Sequence, residues 1–110
     1  VSSLSHLMRH DFDSIVLRRC LPQNLCINFH LDVSLSTLQI ALNDEDEYVG
    51  GRLVYALADG SLLCPERLAG TATRHDNSVV HGVTKHTAGK RYGLFLLKTC
   101  PSETTYHIEH

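Results

Sequence analysis

Leu25-Cys26-Ile27-Asn28-Phe29-His30-Leu31-Asp32-Val33-Ser34-Leu35-Ser36-Thr37-Leu38-Gln39-Ile40-Ala41-Leu42 is the stretch on which the fold turns. It holds two short apolar runs, Leu25 to His30 and Thr37 to Leu42, and neither carries a helical period. Period-two alternation in the first puts Cys26, Asn28 and His30 on one face and Ile27 and Phe29 on the other. Working outward, similar runs recur between turn signals. Ile15 to Arg19 is closed by Leu21-Pro22-Gln23-Asn24, and Arg52 to Leu57 lies between Gly50-Gly51 and Asp59-Gly60. Gly70 to His75, Ser78 to Val83 and Lys90 to Leu97 follow, the last two separated by Ala88-Gly89. Gly50-Gly51 permits a close backbone approach or a bulge, and Asp59-Gly60 marks a hairpin. The pattern predicts an all-β sandwich or barrel of about eight short strands. Helix is minimal, a short turn over Ser2 to Met8.

At 110 residues the chain is expected to form one domain, with a core over about 15–97 and peripheral segments at 1–14 and 101–110. A chain of this size buries about two thirds of its unfolded surface, so its core needs no metal or disulfide staple. It begins with Val1 rather than Met, which suggests a segment of a longer protein. A net charge of −2 with no dense basic run argues against nucleic acid as a partner. Its apolar stretches are too short for a membrane-spanning helix, and no signal peptide or lipidation motif is visible. Compartment and oligomeric state stay open. Cys20, Cys26, Cys64 and Cys100 are irregularly spaced, without the CxxC pairs of zinc or thioredoxin sites. Cys20 and Cys26 flank a proline-containing turn and could meet across a hairpin, although free thiols are favoured. The acidic segment Asn43 to Tyr48 reads as a solvated loop, with a hard-cation site as the alternative.

The chemistry concentrates in a few residues. Positions i and i+2 of a strand share a face, so His30 and Asp32 can aim at one point. His81 lies far downstream and joins them only if a barrel brings its strand alongside. Two histidines and one carboxylate form the facial set that holds a non-haem Fe(II) and leaves positions open, whereas structural zinc prefers four closed ligands. Arg91, ten positions after His81, offers the bidentate fork that a distant carboxylate of a co-substrate would need. Taken singly, an HxD pair is most often an ordinary polar strand face, and His81 alone could be a buried histidine bonded to backbone. His75 would reach the pocket if its strand neighbours the metal strands, and faces a turn otherwise. Tyr92 should point away from Arg91. Of Arg18 and Arg19, on opposite faces, one could reach the cavity mouth, although a solvated strand charge is favoured. His6, His10, His86, His107 and His110 have no partner at ligand spacing and read as surface residues.

From Ile27 to Asn43 the sequence resembles the metal-binding strand pair of the Fe(II)/2-oxoglutarate-dependent dioxygenases, prolyl 4-hydroxylase-like branch. The likeness continues through Glu47-Tyr48-Val49-Gly50-Gly51-Arg52-Leu53-Val54-Tyr55, then His81-Gly82-Val83-Thr84 and Gly89-Lys90-Arg91-Tyr92. It spans about Ile15 to Leu97. It implies a double-stranded β-helix, the jelly-roll barrel shared with cupins. It also implies His30, Asp32 and His81 as catalytic iron ligands and Arg91 as the 2-oxoglutarate anchor. Fe(II), 2-oxoglutarate and O2 would be required, with ascorbate as a further candidate. The implied reaction hydroxylates a substrate while 2-oxoglutarate is decarboxylated to succinate; retention of Asp32 favours hydroxylation over halogenation. The chain departs from the family pattern at Gly93, where a Ser or Thr is common, and at Asn28, where prolyl hydroxylases often carry Tyr. Asn28, on the ligand face, could itself donate a hydrogen bond to 2-oxoglutarate. Lys85-His86 also departs from the pattern, which weakens a specifically prolyl substrate. Peptidyl proline or lysine, a free amino acid and a small metabolite remain open. The rival readings are a non-catalytic or truncated jelly-roll binding module that keeps the ligands, and a cupin-type metalloenzyme without 2-oxoglutarate. The second rival is disfavoured because clustered cupin-like histidines and glutamate are absent around His30.

Overall fold

The structure, a computed structural model, describes residues 11–99. The expected turn at Ser2 to Met8 and the polar tail after Cys100 lie outside the described residues. Eight strands follow in order: β1 (Ser14–Cys20), β2 (Leu25–His30), β3 (Ser36–Ala41), β4 (Leu53–Ala56), β5 (Leu62–Leu63), β6 (Ala72–Asp76), β7 (Val80–His86) and β8 (Arg91–Lys98). A short 3-10 turn at Glu45–Glu47 is the one helical element among the described residues. No described helix is long and apolar enough to cross a membrane.

The strands form two four-stranded antiparallel sheets, ordered β1-β8-β3-β6 and β2-β7-β4-β5. Only β4 and β5 are both consecutive and adjacent; every other connection crosses from one sheet to the other. That winding makes the fold a double-stranded β-helix. The Asp59-Gly60 hairpin forms as expected, with Leu57 N–H donating to the Ser61 carbonyl at 2.9 Å. Ala88-Gly89, by contrast, joins strands of different sheets and closes no hairpin. The β1–β2 connection also crosses between the sheets and separates Cys20 from Cys26, so the hairpin that would have brought them together does not exist. Cys20, Cys26 and Cys64 are free thiols.

Two packed layers hold the body together. Alternation along β3 buries Thr37, Gln39 and Ala41 on the inner face, opposite Leu53 and Tyr55 of β4. On the other face of the first sheet, Leu96 pairs in register with Ile15 and Leu38, and Leu38 with Arg74. Phe12 lies there too, with the Arg74 guanidinium 5.0 Å over its ring. Phe12 and Leu96 are both fully buried, so the segment just ahead of β1 is part of the packed body.

Gly50 allows the approach of β7 that the double glycine suggested. Its φ is +70°, and a Cβ there would overlap the carbonyl oxygen of Lys85. The acidic loop is clamped rather than simply solvated. Glu45 pairs with Arg52 at 2.9 Å and accepts the Arg67 amide, while Asp44 accepts the amide of Ala69.

Candidate metal centre

His30 and His81 face each other directly in the β2–β7 ladder, and Tyr55 of β4 sits across from His81 on the other side. The β2–β7 register shifts between Ile27 and His30. This bulge inserts an extra residue, so Ile27 and His30 both point into the barrel. Strict alternation, which would put Ile27 on the opposite face from His30, is therefore corrected. Gly82 makes the bulge possible, because a Cβ there would meet the Ile27 carbonyl oxygen at 2.7 Å. Asp32 does not extend the strand. β2 ends at His30, and Asp32 stands in the loop beyond it.

Asp32 Oδ1 lies 3.2 Å from His81 Nε2 and 3.5 Å from His30 Nε2. The opposite ring nitrogens meet backbone carbonyls: His30 Nδ1 donates to Asn28 O at 2.8 Å and His81 Nδ1 to Val79 O at 3.0 Å. A carbonyl only accepts, so Nδ1 carries the hydrogen and Nε2 of a neutral ring presents a lone pair. Three lone-pair atoms therefore converge on one point. Such an arrangement is repulsive unless a cation or an extra proton lies between them, and backbone-oriented imidazoles are the usual arrangement in metal ligands. The donor set fits a divalent metal that accepts two imidazoles and a carboxylate on one face.

Oδ2 of Asp32 is held elsewhere. It accepts the Thr37 hydroxyl at 2.8 Å and His75 Nε2 at 2.7 Å, and the Tyr55 hydroxyl meets His75 Nδ1 at 3.0 Å. Partial burial pushes the Asp32 carboxyl up, but the hydrogen bonds from His75 and Thr37, with the nearby His81, bring it below its ordinary value. Burial raises the Tyr55 hydroxyl, against a hydrogen bond from Thr73. Thr37 and His75 are cross-strand partners on β3 and β6, which is why both reach the same oxygen. His75 thus reaches the Asp32 carboxylate from behind, lining a neighbouring cavity with Tyr55 rather than the one that holds His30 and His81, and it does not face a turn. Tyr55 and Thr37 have no chemistry in sequence that marks them as site residues, and their period-two phase with buried neighbours is the signal that places them inward.

The cavity between the sheets has a volume of about 440 Å³, and its lining includes His30, Asp32, His81, Gln39, Arg18 and Arg91. Arg91 projects from the start of β8 into this space. Its Nε is buried without a hydrogen-bond partner, and Nη2 reaches only Cys20 Sγ at 3.6 Å among the described residues. Asn43 braces this end: its side chain donates to the Lys90 carbonyl and accepts the Tyr92 amide, the two residues flanking Arg91. Arg18, opposite Gly93 in the β1–β8 register, enters the cavity with its guanidinium 5.0 Å over Phe95. Asn28 is not among the cavity-lining residues; its side chain takes the Cys26 thiol.

No protein-family model matches the chain, and no curated protein matches it. Solved structures do. A Pseudomonas putida prolyl-4-hydroxylase aligns at 22% identity and TM-score 0.63, covering 77% of this chain and 51% of that one. A prolyl hydroxylase from Trichoplax adhaerens, in complex with a hypoxia inducible factor peptide fragment, aligns at 16% identity and TM-score 0.68, covering 84% and 46%. The chain has the fold of these oxygenases. A cupin protein from Bacteroides fragilis shares it at 13% identity and TM-score 0.51, covering 80% of this chain and 66% of that one. At such identities the likeness establishes the jelly-roll barrel, and the chain spans about half the length of the two hydroxylases.

Proposed function

We propose that this chain is the barrel of an Fe(II)- and 2-oxoglutarate-dependent hydroxylase. The observation that carries the reading is the convergence of His30 Nε2, His81 Nε2 and Asp32 Oδ1, with both imidazoles oriented by backbone carbonyls. When bound, Fe(II) supplies oxygen activation and the redox change that couples 2-oxoglutarate decarboxylation to substrate hydroxylation. The protein's part is placement. His30, Asp32 and His81 would hold the metal, and the adjoining cavity would take the co-substrate. Arg91, with an unpartnered Nε in the cavity wall, holds the distal carboxylate of 2-oxoglutarate. Ile27, Leu53, Val83, Phe95 and Leu97 line the same cavity and exclude water from it. Asn28, off the cavity wall, orients His30 through its backbone carbonyl rather than meeting the co-substrate. The proposed unit is a single domain, and its substrate is a peptide or a small molecule; the peptide held by the Trichoplax enzyme supports the first.

A second reading is a binding module that keeps the metal and lacks turnover. It is favoured by the openness of β2, whose six residues are all exposed, including the ligand His30.

Anaerobic titration with Fe(II) and 2-oxoglutarate separates the two. The hydroxylase reading expects the visible charge-transfer band of a chelated oxo-acid, then metal-dependent succinate on admission of O2. Metal binding without either signal would favour the module, and no metal binding by the folded protein would defeat both.

A further inference from the structure

We propose that His75 is a positioning residue that, together with Thr37 and Tyr55, fixes Asp32 as a one-oxygen metal ligand. The proposal rests on the metal site argued above and assigns the two carboxylate oxygens different tasks. Oδ1 faces the two histidine Nε2 atoms, whereas Oδ2 accepts both the Thr37 hydroxyl and His75 Nε2. An oxygen that already accepts two strong hydrogen bonds has little capacity left for a metal, so chelation through both oxygens is blocked.

Asp32 needs such support because the chain around it gives none. It lies between strands, and the next backbone hydrogen bond of this loop among the described residues is Leu35 N–H to Lys98 O, at 2.8 Å. The side-chain bonds to Oδ2 must therefore set the direction of the carboxylate. His75 is suited to do this. Its side chain is 2% exposed, and it projects from β6 directly across from Thr37. A carboxylate only accepts, so His75 Nε2 carries a hydrogen; in a neutral ring Nδ1 then accepts from the Tyr55 hydroxyl. The rings of Tyr55 and His81 pack against His75 at centroid distances of 5.4 and 4.3 Å, which prevents its rotation. Two residues before His75 on β6 stands Thr73, whose hydroxyl accepts from the guanidinium of the buried Arg67 at 3.1 Å. Support and ligand thus come from different strands: β4 carries Tyr55, β6 carries Thr73 and His75, and β7 carries the ligand His81.

The test measures Mn(II) affinity by the paramagnetic resonance signal of the free ion, without co-substrate, on parent protein and on Asp32→Ala, His75→Phe, His75→Gln and Tyr55→Phe. His75→Phe is expected to weaken Mn(II) binding about 10- to 100-fold, the usual effect of losing a partner that orients a ligand. Tyr55→Phe should weaken it by a smaller factor. His75→Gln, which returns an N–H donor, should recover most of the loss, a rescue that a purely packing role would not give. Parent-like affinity in His75→Phe overturns the proposal. If His75→Phe does not fold by circular dichroism, Tyr55→Phe decides, and parent-like affinity there overturns it. Failure of Gln to rescue, with a Co(II) spectrum showing one nitrogen ligand fewer, would mean that His75 itself binds the metal, which also overturns it. Unchanged binding in Asp32→Ala would defeat the metal-site reading and this proposal together, whereas loss in Asp32→Ala with none in His75→Phe defeats this proposal alone.

Discussion

Arg91 brings a permanent charge into the cavity wall, and no carboxylate pairs with it among the described residues. Arg91→Ala is expected to raise the 2-oxoglutarate concentration needed for turnover about 30-fold or more, since truncating one partner of a buried charge pair costs about 2–5 kcal/mol. Titration of succinate release against 2-oxoglutarate checks this, and an unchanged half-saturation point would remove Arg91 from the anchor role. Asp32 has a stability consequence of its own in the metal-free protein. Its folded carboxyl titrates below the ordinary value of 3.8, so its contribution is fully present above that value and is lost as pH falls through the lower folded one. Denaturant midpoints of parent and Asp32→Asn should therefore differ most near neutral pH and converge in strong acid. A constant difference across that range would show that the carboxylate charge is not what the hydrogen bonds stabilise.

At the scale of elements, the bulge in β2 and the glycine beneath it place His30. Gly82→Ala would push a methyl group to 2.7 Å from Ile27 O and 3.2 Å from Phe29 N, both in the backbone of β2. The strand has to move, and His30 moves with it. The expected result is weaker divalent-metal binding together with a lower melting temperature, read by metal titration and calorimetry on the same sample. Asn43 ties the end of β3 to the start of β8 through one donor and one acceptor. Asn43→Ala leaves both backbone groups beside Arg91 without their partner, at a cost of about 1–3 kcal/mol. Chemical denaturation should show that loss, and an effect within a few tenths of a kcal/mol would mean that water replaces the amide.

Over the whole molecule, apolar side chains are unevenly covered. Phe12 and Leu96 are sealed on the outer face of the first sheet, yet Leu17 on β1 is 70% exposed and Leu25 on β2 is 66% exposed. Exposed apolar side chains grouped on sheet faces mark surfaces that other molecules cover. The folded chain is therefore expected to bind a hydrophobic dye such as anilinonaphthalene sulfonate. Leu17→Lys should lower that signal while leaving the melting temperature nearly unchanged. Equal dye binding by this variant would place the sticky surface on β2 instead.

The sequence by itself determined strand character and pointed to a candidate set of metal donors. Alternation, glycine pairs and turn residues are local signals, so seven strand segments, the Asp59-Gly60 hairpin and the close approach at Gly50 could all be read from neighbours along the chain. The HxD pair, His81 and Arg91 were legible because their chemistry is uncommon in that order. Only the tertiary structure decided what lies beside what. β5 is two residues long, too short to carry a period, and depends on pairing with β4. Sheet membership alternates along the chain, so Cys20 and Cys26 part company although they are close in sequence. A register shift of one residue in β2 reversed the face of Ile27, and pairing of β3 with β6 delivered His75 to Asp32. Local pattern fixes which residues are extended; pairing between distant strands fixes which of them meet, because its energy comes from contacts that no short window of sequence contains.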